Sequence, residues 1–350
     1  MADVYAALAE KLNYPPSSER FQQVLRKLAT LDEVRLMLDL PAPLEDLAQK
    51  LSITPTEVES NLDSLYRRGM LLPSRRTGYR LPQNAGQLHG STTTAADEFV
   101  DKELLDLWRD FRENESDVKR VDWLTRKGVP QWRVIPAWRA LVASPGIAPG
   151  AILPHEDVRA ILREVPAIAQ IVCDCRRVIR ACPVRSPEVC LQFERHAEYH
   201  IGRGSGVRLS VDEALERMEV AMDEGLVHIG LNVAAAPPSL CNCCNDCCDV
   251  ILPLKRAGKL HEGLAQSRYQ ATVDRKTCDG CQVCVDRCLF DAISMSRATG
   301  SKRLKAQVDP EQCFGCGMCV IKCKPGALSL KAVRSPEHIP PPGQASWYSP

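Results

Sequence analysis

Apolar residues at Leu44, Leu47, Ala48 and Leu51 recur at i, i+3, i+4 and i+7, the period of one helix face. A Ser52-Ile53 turn leads into Thr54-Pro55-Thr56-Glu57, where an N-cap, a proline at the first helical position and a capping-box glutamate start a second helix. Val58, Leu62 and Leu65 line that helix, which stops before Gly69, and Met70–Leu72 and Tyr79–Leu81 can pair as a hairpin about Arg76-Thr77-Gly78. A preceding helix is expected near Phe21–Leu38. Between about Gly86 and Asp122 the pattern reads as a Ser/Thr linker followed by a helix bearing Phe99, Leu104, Leu105, Trp108 and Phe111. Farther on, His155–Leu162 has helical spacing and Ile168–Val172 reads as a buried strand. Ser210 and Glu213 form a capping box, Leu215, Met218 and Met222 share a face, and Gly225 ends that helix.

Composition changes this picture at one point. The 350 residues carry 45 Lys+Arg against 44 Asp+Glu, so no global field marks a nucleic-acid or membrane-surface protein. With 45% hydrophobic residues the chain can build real cores, but it also holds 17 cysteines. The start, MADVYAALAEKLNYPP, has no basic n-region, and the longest apolar stretch, Leu226–Leu240, is broken by His228, Asn232 and two prolines. A cytoplasmic chain with no membrane span is therefore expected, where thiols stay reduced and clustered cysteines hold metal.

The last eight cysteines form a repeat. Cys278, Cys281, Cys284 and Cys288 map onto Cys313, Cys316, Cys319 and Cys323 at a shift of 35 residues, as do Val273-Asp274 onto Val308-Asp309. Each run is C-x2-C-x2-C-x3-C. Three closely spaced thiolates wrap one cubane from a tight loop, and the fourth, on an emerging helix, reaches the other cluster. The spacing resembles the bacterial dicluster ferredoxin module over about Ala271–Ala332. It predicts two [4Fe–4S] clusters, one on Cys278, Cys281, Cys284 and Cys323 and one on Cys313, Cys316, Cys319 and Cys288. The proline that usually follows the last cysteine is Leu289 in the first run and is displaced to Pro325 in the second. Residues 271–331 carry ten Lys/Arg and six acids, a balance of +4 that two clusters of about −2 each bring near neutrality. Near-neutrality suits a module fixed inside a larger redox assembly.

The middle cysteines are Cys173, Cys175, Cys182, Cys190, Cys241, Cys243, Cys244, Cys247 and Cys248. They stand in a C-x-C-R motif, a C-P, a V-C-L and a C-N-C-C-x2-C-C run after a helix ending G-L-V-H. In order and spacing, residues Val134–Ala332 resemble a group of anaerobe iron–sulfur proteins. Nine thiols allow two further cubanes with one to spare, or one cluster plus structural thiols; zinc and thiol chemistry are the competing readings. In Cys243-Cys244 and Cys247-Cys248 neighbouring side chains diverge, so the members of a pair are expected to serve different sites. Arg176, Arg177 and Arg180 either offset cluster charge or are solvated helix arginines. His196 and His200, four apart, and His228 beside the cysteine run are weaker metal candidates. Gly202-x-Gly204-x-Gly206 lacks the sixth-position glycine of a dinucleotide loop.

The helix–turn–helix–hairpin pattern over about residues 18–82 resembles a winged helix-turn-helix. Its second helix starts with Glu57, Glu59 and Asp63, which repel phosphate, while Arg75, Arg76 and Arg80 lie on the wing. Protein docking is thus favoured over nucleic acid. The expected architecture is α+β and multidomain. It comprises a winged-helix-like domain (1–85), a linker and amphipathic helix (86–133), a small α/β cysteine-rich domain (134–262), a ferredoxin-like dicluster domain (263–334) and a Pro-rich tail (335–350) ending in Trp347-Tyr348. No catalytic constellation is visible. The expected function is electron transfer, as an accessory subunit or electron donor of a larger anaerobic oxidoreductase, with a redox partner protein. The alternative is a redox-sensing winged-helix transcription regulator.

Overall fold

The structure is a computed structural model describing residues 3–74, 78–126, 128–182, 188–297 and 303–342. Arg75 and Arg76 of the wing, Pro183 of the C-P motif and the Trp347-Tyr348 end of the tail lie outside the described residues. Two compact units are present. The first comprises Met1–Asp117, Ile171–Arg180 and Glu198–Val207, and the second Val118–Gln170, Ala181–Ala197 and Arg208–Pro350. The stretches 171–180 and 198–207 therefore leave the expected 134–262 domain for the first unit, and 86–117 joins that unit.

The first unit is mainly helical. Where one helix was expected near Phe21–Leu38 there are two, Glu19–Leu28 and Leu31–Leu38. Thr30 breaks the run because its hydroxyl and the Glu33 carboxylate cap each other's backbone N–H groups, starting a new helix in place of continuing the old one. Helices Leu44–Leu51 and Pro55–Arg67 follow, the second capped by Thr54 and Glu57. Strands β1 (Leu72–Ser74) and β2 (Gly78–Arg80) pair antiparallel with Leu72 opposite Arg80.

The Ser/Thr segment is not a linker. Ala85–Thr93 is a helix whose Ser91, Thr92 and Thr93 are buried. Their hydroxyls donate to carbonyls three or four residues back, Ser91 to Gln87 and Leu88, Thr92 to Leu88 and Thr93 to His89. Polar side chains are thereby satisfied within the helix itself. Phe99 lies in a separate short turn, Asp97–Phe99, outside helix Lys102–Phe111. Trp108 and Phe111 of that helix join Phe21 and Tyr14 in one aromatic core, with the Phe21 and Phe111 rings stacked at 5.2 Å.

The second unit is built on a sheet. Strands β3 (Trp132–Ile135), β4 (Ile168–Ile171), β5 (Cys190–Phe193), β7 (Val227–Leu231), β8 (Ser239–Cys243) and β9 (Leu264–Ala265) lie in the order β4-β5-β8-β7-β3-β9, and β6 is Gly206–Arg208. Helix Val211–Glu224 starts at the Ser210–Glu213 capping box and ends at Gly225, whose φ of +81° suits glycine. The helix expected over His155–Leu162 divides into a turn, Pro154–Glu156, and helix Val158–Glu164, because Asp157 caps a new start. Residues 335–342 are not a free extended tail. Pro336–His338 forms a short turn, Ile339 is buried and Ala234 N–H donates to the Pro340 carbonyl at 2.8 Å.

The ferredoxin-like part adds two hairpins. Strand β10 (Tyr269–Val273) pairs with β13 (Leu328–Ala332), and β11 (Ile293–Arg297) with β12 (Leu304–Val308). The strand before each cysteine run thus pairs with the strand after the other run, so the two halves interlock. The module is also built into its unit. Ala137 N–H donates to the Cys316 carbonyl at 3.0 Å, Leu330 N–H to Ser144 Oγ at 2.7 Å, and Arg287 to the Met222 and Asp223 carbonyls.

Candidate metal centres

Each C-terminal run wraps a tight loop by the same devices, one repeat length apart. Cys278 N–H and Cys313 N–H donate to the Asp274 and Asp309 carbonyls at 3.0 and 3.1 Å. The Cys278 sulfur accepts Ala306 N–H at 3.5 Å and the Cys313 sulfur accepts Ala271 N–H at 3.4 Å. These N–H···S contacts favour the thiolate form that iron requires. After the last cysteine the turn survives without the usual proline, since Cys288 N–H donates to Val285 O at 3.0 Å and Cys323 N–H to Val320 O at 3.1 Å.

Each group of neighbouring thiols draws on both runs. Cys278, Cys281, Cys284 and Cys323 line one cavity together with Val273, Met295, Ala306 and Leu328. Burial pushes the Cys284 thiol up to about 11, and the neighbouring Cys278, Cys281 and Cys323 add to the rise. Burial likewise pushes Cys316 up to about 12, with Cys288 and Cys313 contributing. Cys319 is raised by burial first and then by Cys316, Cys313 and Cys288, and it also feels Cys284, so the two groups abut. Two sets of four convergent thiols, an apolar wall and backbone N–H donors to sulfur fit the donor set that paired cubanes would need, with each thiol binding as the thiolate.

The 4Fe–4S dicluster domain family matches residues 277–327. This is an iron–sulfur protein. Its C-terminal module carries two [4Fe–4S] clusters. No curated protein and no solved structure matches the chain.

The loops have little room for change. A Cβ on Gly315, where φ is +68°, would stand 2.0 Å from the Tyr269 carbonyl oxygen, and one on Gly280, one repeat earlier, 2.4 Å from that of Leu304. Gly315→Ala is therefore expected to lose the second run's cluster, seen as about half of the module's iron and labile sulfide. Gly326→Ala, at φ +67° but in open space, is expected to keep both clusters at a cost of about 1–2 kcal/mol.

The nine middle thiols fall into three groups. In the first unit Cys173, Asp174 and Cys175 place their ligand atoms within 4.8 Å of one another. In the second unit the Cys182 sulfur lies 3.1 Å from that of Cys244 and 3.2 Å from that of Cys247, with Asp246 alongside. Also in the second unit, Cys248 Sγ lies 3.3 Å from Cys243 Sγ, and Cys243 also interacts with Cys241. Cys241 and Cys243, two apart on β8, share a sheet face, and Leu191 opposite Leu240 brings Cys190 opposite Cys241 on that face. The Cys248 sulfur accepts Val250 and Ile251 N–H at 3.4 and 3.5 Å, as the C-terminal sulfurs do. Both adjacent pairs are split: Cys243 and Cys248 go one way, Cys244 and Cys247 the other.

The histidines stand apart from these thiols. His228 pairs with Asn242 across β7 and β8, between Cys241 and Cys243 in register, so it faces the opposite side of the sheet. Its Nδ1–H donates to Asn242 Oδ1 at 2.5 Å, and burial lowers its pKa to about 4. His200 is buried with Nδ1 3.0 Å from Ser205 Oγ, and neither it nor His196 belongs to a metal-like group among the described residues. Arg177 spends its charge on structure, donating to the Thr93 and Ala95 carbonyls and pairing with Asp97, while Arg180 pairs with Asp106.

Proposed function

We propose that this protein transfers electrons between a partner and its own clusters as an accessory subunit or electron donor of a larger oxidoreductase. The carrying observation is the sorting of the eight C-terminal thiols into two abutting groups with one exposed sulfur. Cys281 is the exposed cysteine, at the rim of the first group, beside exposed Val283 and Leu304. Cys278, Cys281, Cys284 and Cys323 would hold the first cluster, and Cys313, Cys316, Cys319 and Cys288 the second. When bound, the clusters supply one-electron chemistry. The chain's part is to bury five of the eight cysteines and half-bury Cys288 and Cys323, to donate backbone N–H groups to their sulfurs, and to leave the Cys281 rim open to a partner. Arg287 is held beside Cys316 and Cys319 by its bonds to Met318 O, Met222 O and Asp223 O, and its charge favours the reduced state of the second cluster.

Cys190, Cys241, Cys243 and Cys248 would hold one further iron–sulfur cluster on the sheet face, of the two-iron kind, since Cys243 and Cys248, with sulfurs 3.3 Å apart, suit two thiolates on one iron. The helix–hairpin of the first unit, in the winged-helix reading, serves protein docking, since Glu57 and Glu59 stand exposed at the helix start. Anaerobic titration with reduced benzyl viologen tests the role. Reversible uptake of about two electrons per chain by the C-terminal module is expected, with charge-transfer bleaching and paired-cluster EPR signals. A protein that keeps its iron and sulfide but takes up no electrons would exclude electron transfer. Co-purification from the native host of an oxidoreductase subunit tests the accessory role.

A further inference from the structure

We propose that Cys182, Cys244, Cys247 and Asp246 bind a single Zn²⁺ ion, a centre separate from the clusters. Cys182 is brought 62 residues through the fold to within 3.1 Å of Cys244, and the four ligand atoms all lie within 4.8 Å of one another. Three of these residues are buried and Asp246 is half-buried.

Geometry separates this site from a cubane. Zinc–sulfur bonds of about 2.3 Å put the edge of a tetrahedral thiolate site at about 3.8 Å, so sulfurs now 3.1 and 3.2 Å apart need part by only about 0.6–0.7 Å. A cubane carries each thiolate on a different iron, which sets the sulfurs farther apart. The same molecule supplies the comparison: none of the eight C-terminal thiols, which serve cubanes, belongs to so tight a group among the described residues. Their first set encloses a cavity lined by Cys278, Cys281, Cys284 and Cys323.

The donors suit zinc in kind as well. Cys244-x2-Cys247 has the knuckle spacing of zinc sites, and a carboxylate beside three thiolates suits Zn²⁺ better than a soft cation such as Cu(I). A disulfide is a poor alternative, because the sulfur separations exceed the ~2.05 Å bond and a third thiol would be stranded. Zinc is redox-silent. Its role here is to tie the turn after β8 to Cys182, while Cys243 and Cys248, the other members of the adjacent pairs, belong to a separate site.

The test uses the full chain purified anaerobically, with zinc, iron and labile sulfide measured together. About one zinc per chain is expected, falling to near zero in Cys244→Ser while iron and sulfide hold. Asp246→Asn, a milder change, is expected to release zinc to a chromophoric chelator about tenfold faster than the parent. Absence of zinc from the parent, zinc unaffected by Cys244→Ser, or loss of iron and sulfide together in Cys244→Ser would each overturn the assignment. These outcomes are independent of electron uptake by the C-terminal clusters.

Discussion

Replacing Cys288 with alanine is expected to strip one iron from the cluster of the second run and to leave the first run's cluster intact. Cys288 belongs by sequence to the run beginning at Cys278, yet its sulfur stands among Cys313, Cys316 and Cys319, while Cys323 completes the cavity of the first run. A cubane that loses one of four thiolates sheds the iron that thiolate held, so a three-iron signal should appear in the EPR spectrum of the oxidised protein. Iron should fall by about one atom per chain with sulfide unchanged. Cys323→Ala should give the same lesion in the other cluster. Each change should also loosen both halves, because with this ligand set every cluster would bridge the two runs, and the hairpins β10–β13 and β11–β12 already cross between them. Retention of a four-iron second cluster in Cys288→Ala would refute the crossover.

Glu156→Gln should destabilise the second unit by about 3–5 kcal/mol, the range for removing one partner of a buried ion pair. Glu156 is fully buried, and its Oε2 accepts from Arg268 Nε at 2.9 Å and Nη2 at 2.8 Å. Arg133 is buried nearby. Burial lowers its pKa to about 10, and the Glu156 charge opposes that fall. The amide keeps the shape and removes the countercharge from two guanidinium groups that cannot reach water. Arg268 immediately precedes Tyr269, the first residue of β10, so the strain falls on the strand that enters the first cluster loop. Asp110→Asn, at a pair whose side chains are 46% and 50% exposed, should cost less than about 1 kcal/mol. Urea unfolding under argon, followed by circular dichroism, separates the two cases. Equal midpoints for the two variants would show that the Glu156 charge is not structurally required.

Local chemistry was legible in the chain itself. The 35-residue repeat is visible because both runs use the same short-range devices, and the capping boxes at Thr54–Glu57 and Ser210–Glu213 act within four residues. The Thr30–Glu33 box has the same form, but the apolar spacing on either side of it continues a helical period and hides the break. Ser91, Thr92 and Thr93 read as a linker by composition, and only burial against the rest of the first unit makes their i−4 hydroxyl bonds the best available partners.

The middle thiols mark the limit. Pattern alone could say that neighbouring side chains in Cys243-Cys244 and Cys247-Cys248 diverge, because that follows from backbone geometry. Where each one goes depends on partners brought from far along the chain: Cys182 through 62 residues to Cys244, and Cys190 through the register of β5 on β8. The same holds for the Arg268–Glu156 pair, 112 residues apart. Spacing within a loop is set by bond lengths and short turns, so it can be read from the sequence. Contacts across the sheet are set by which strands pair and in what register, and only the folded chain decides that.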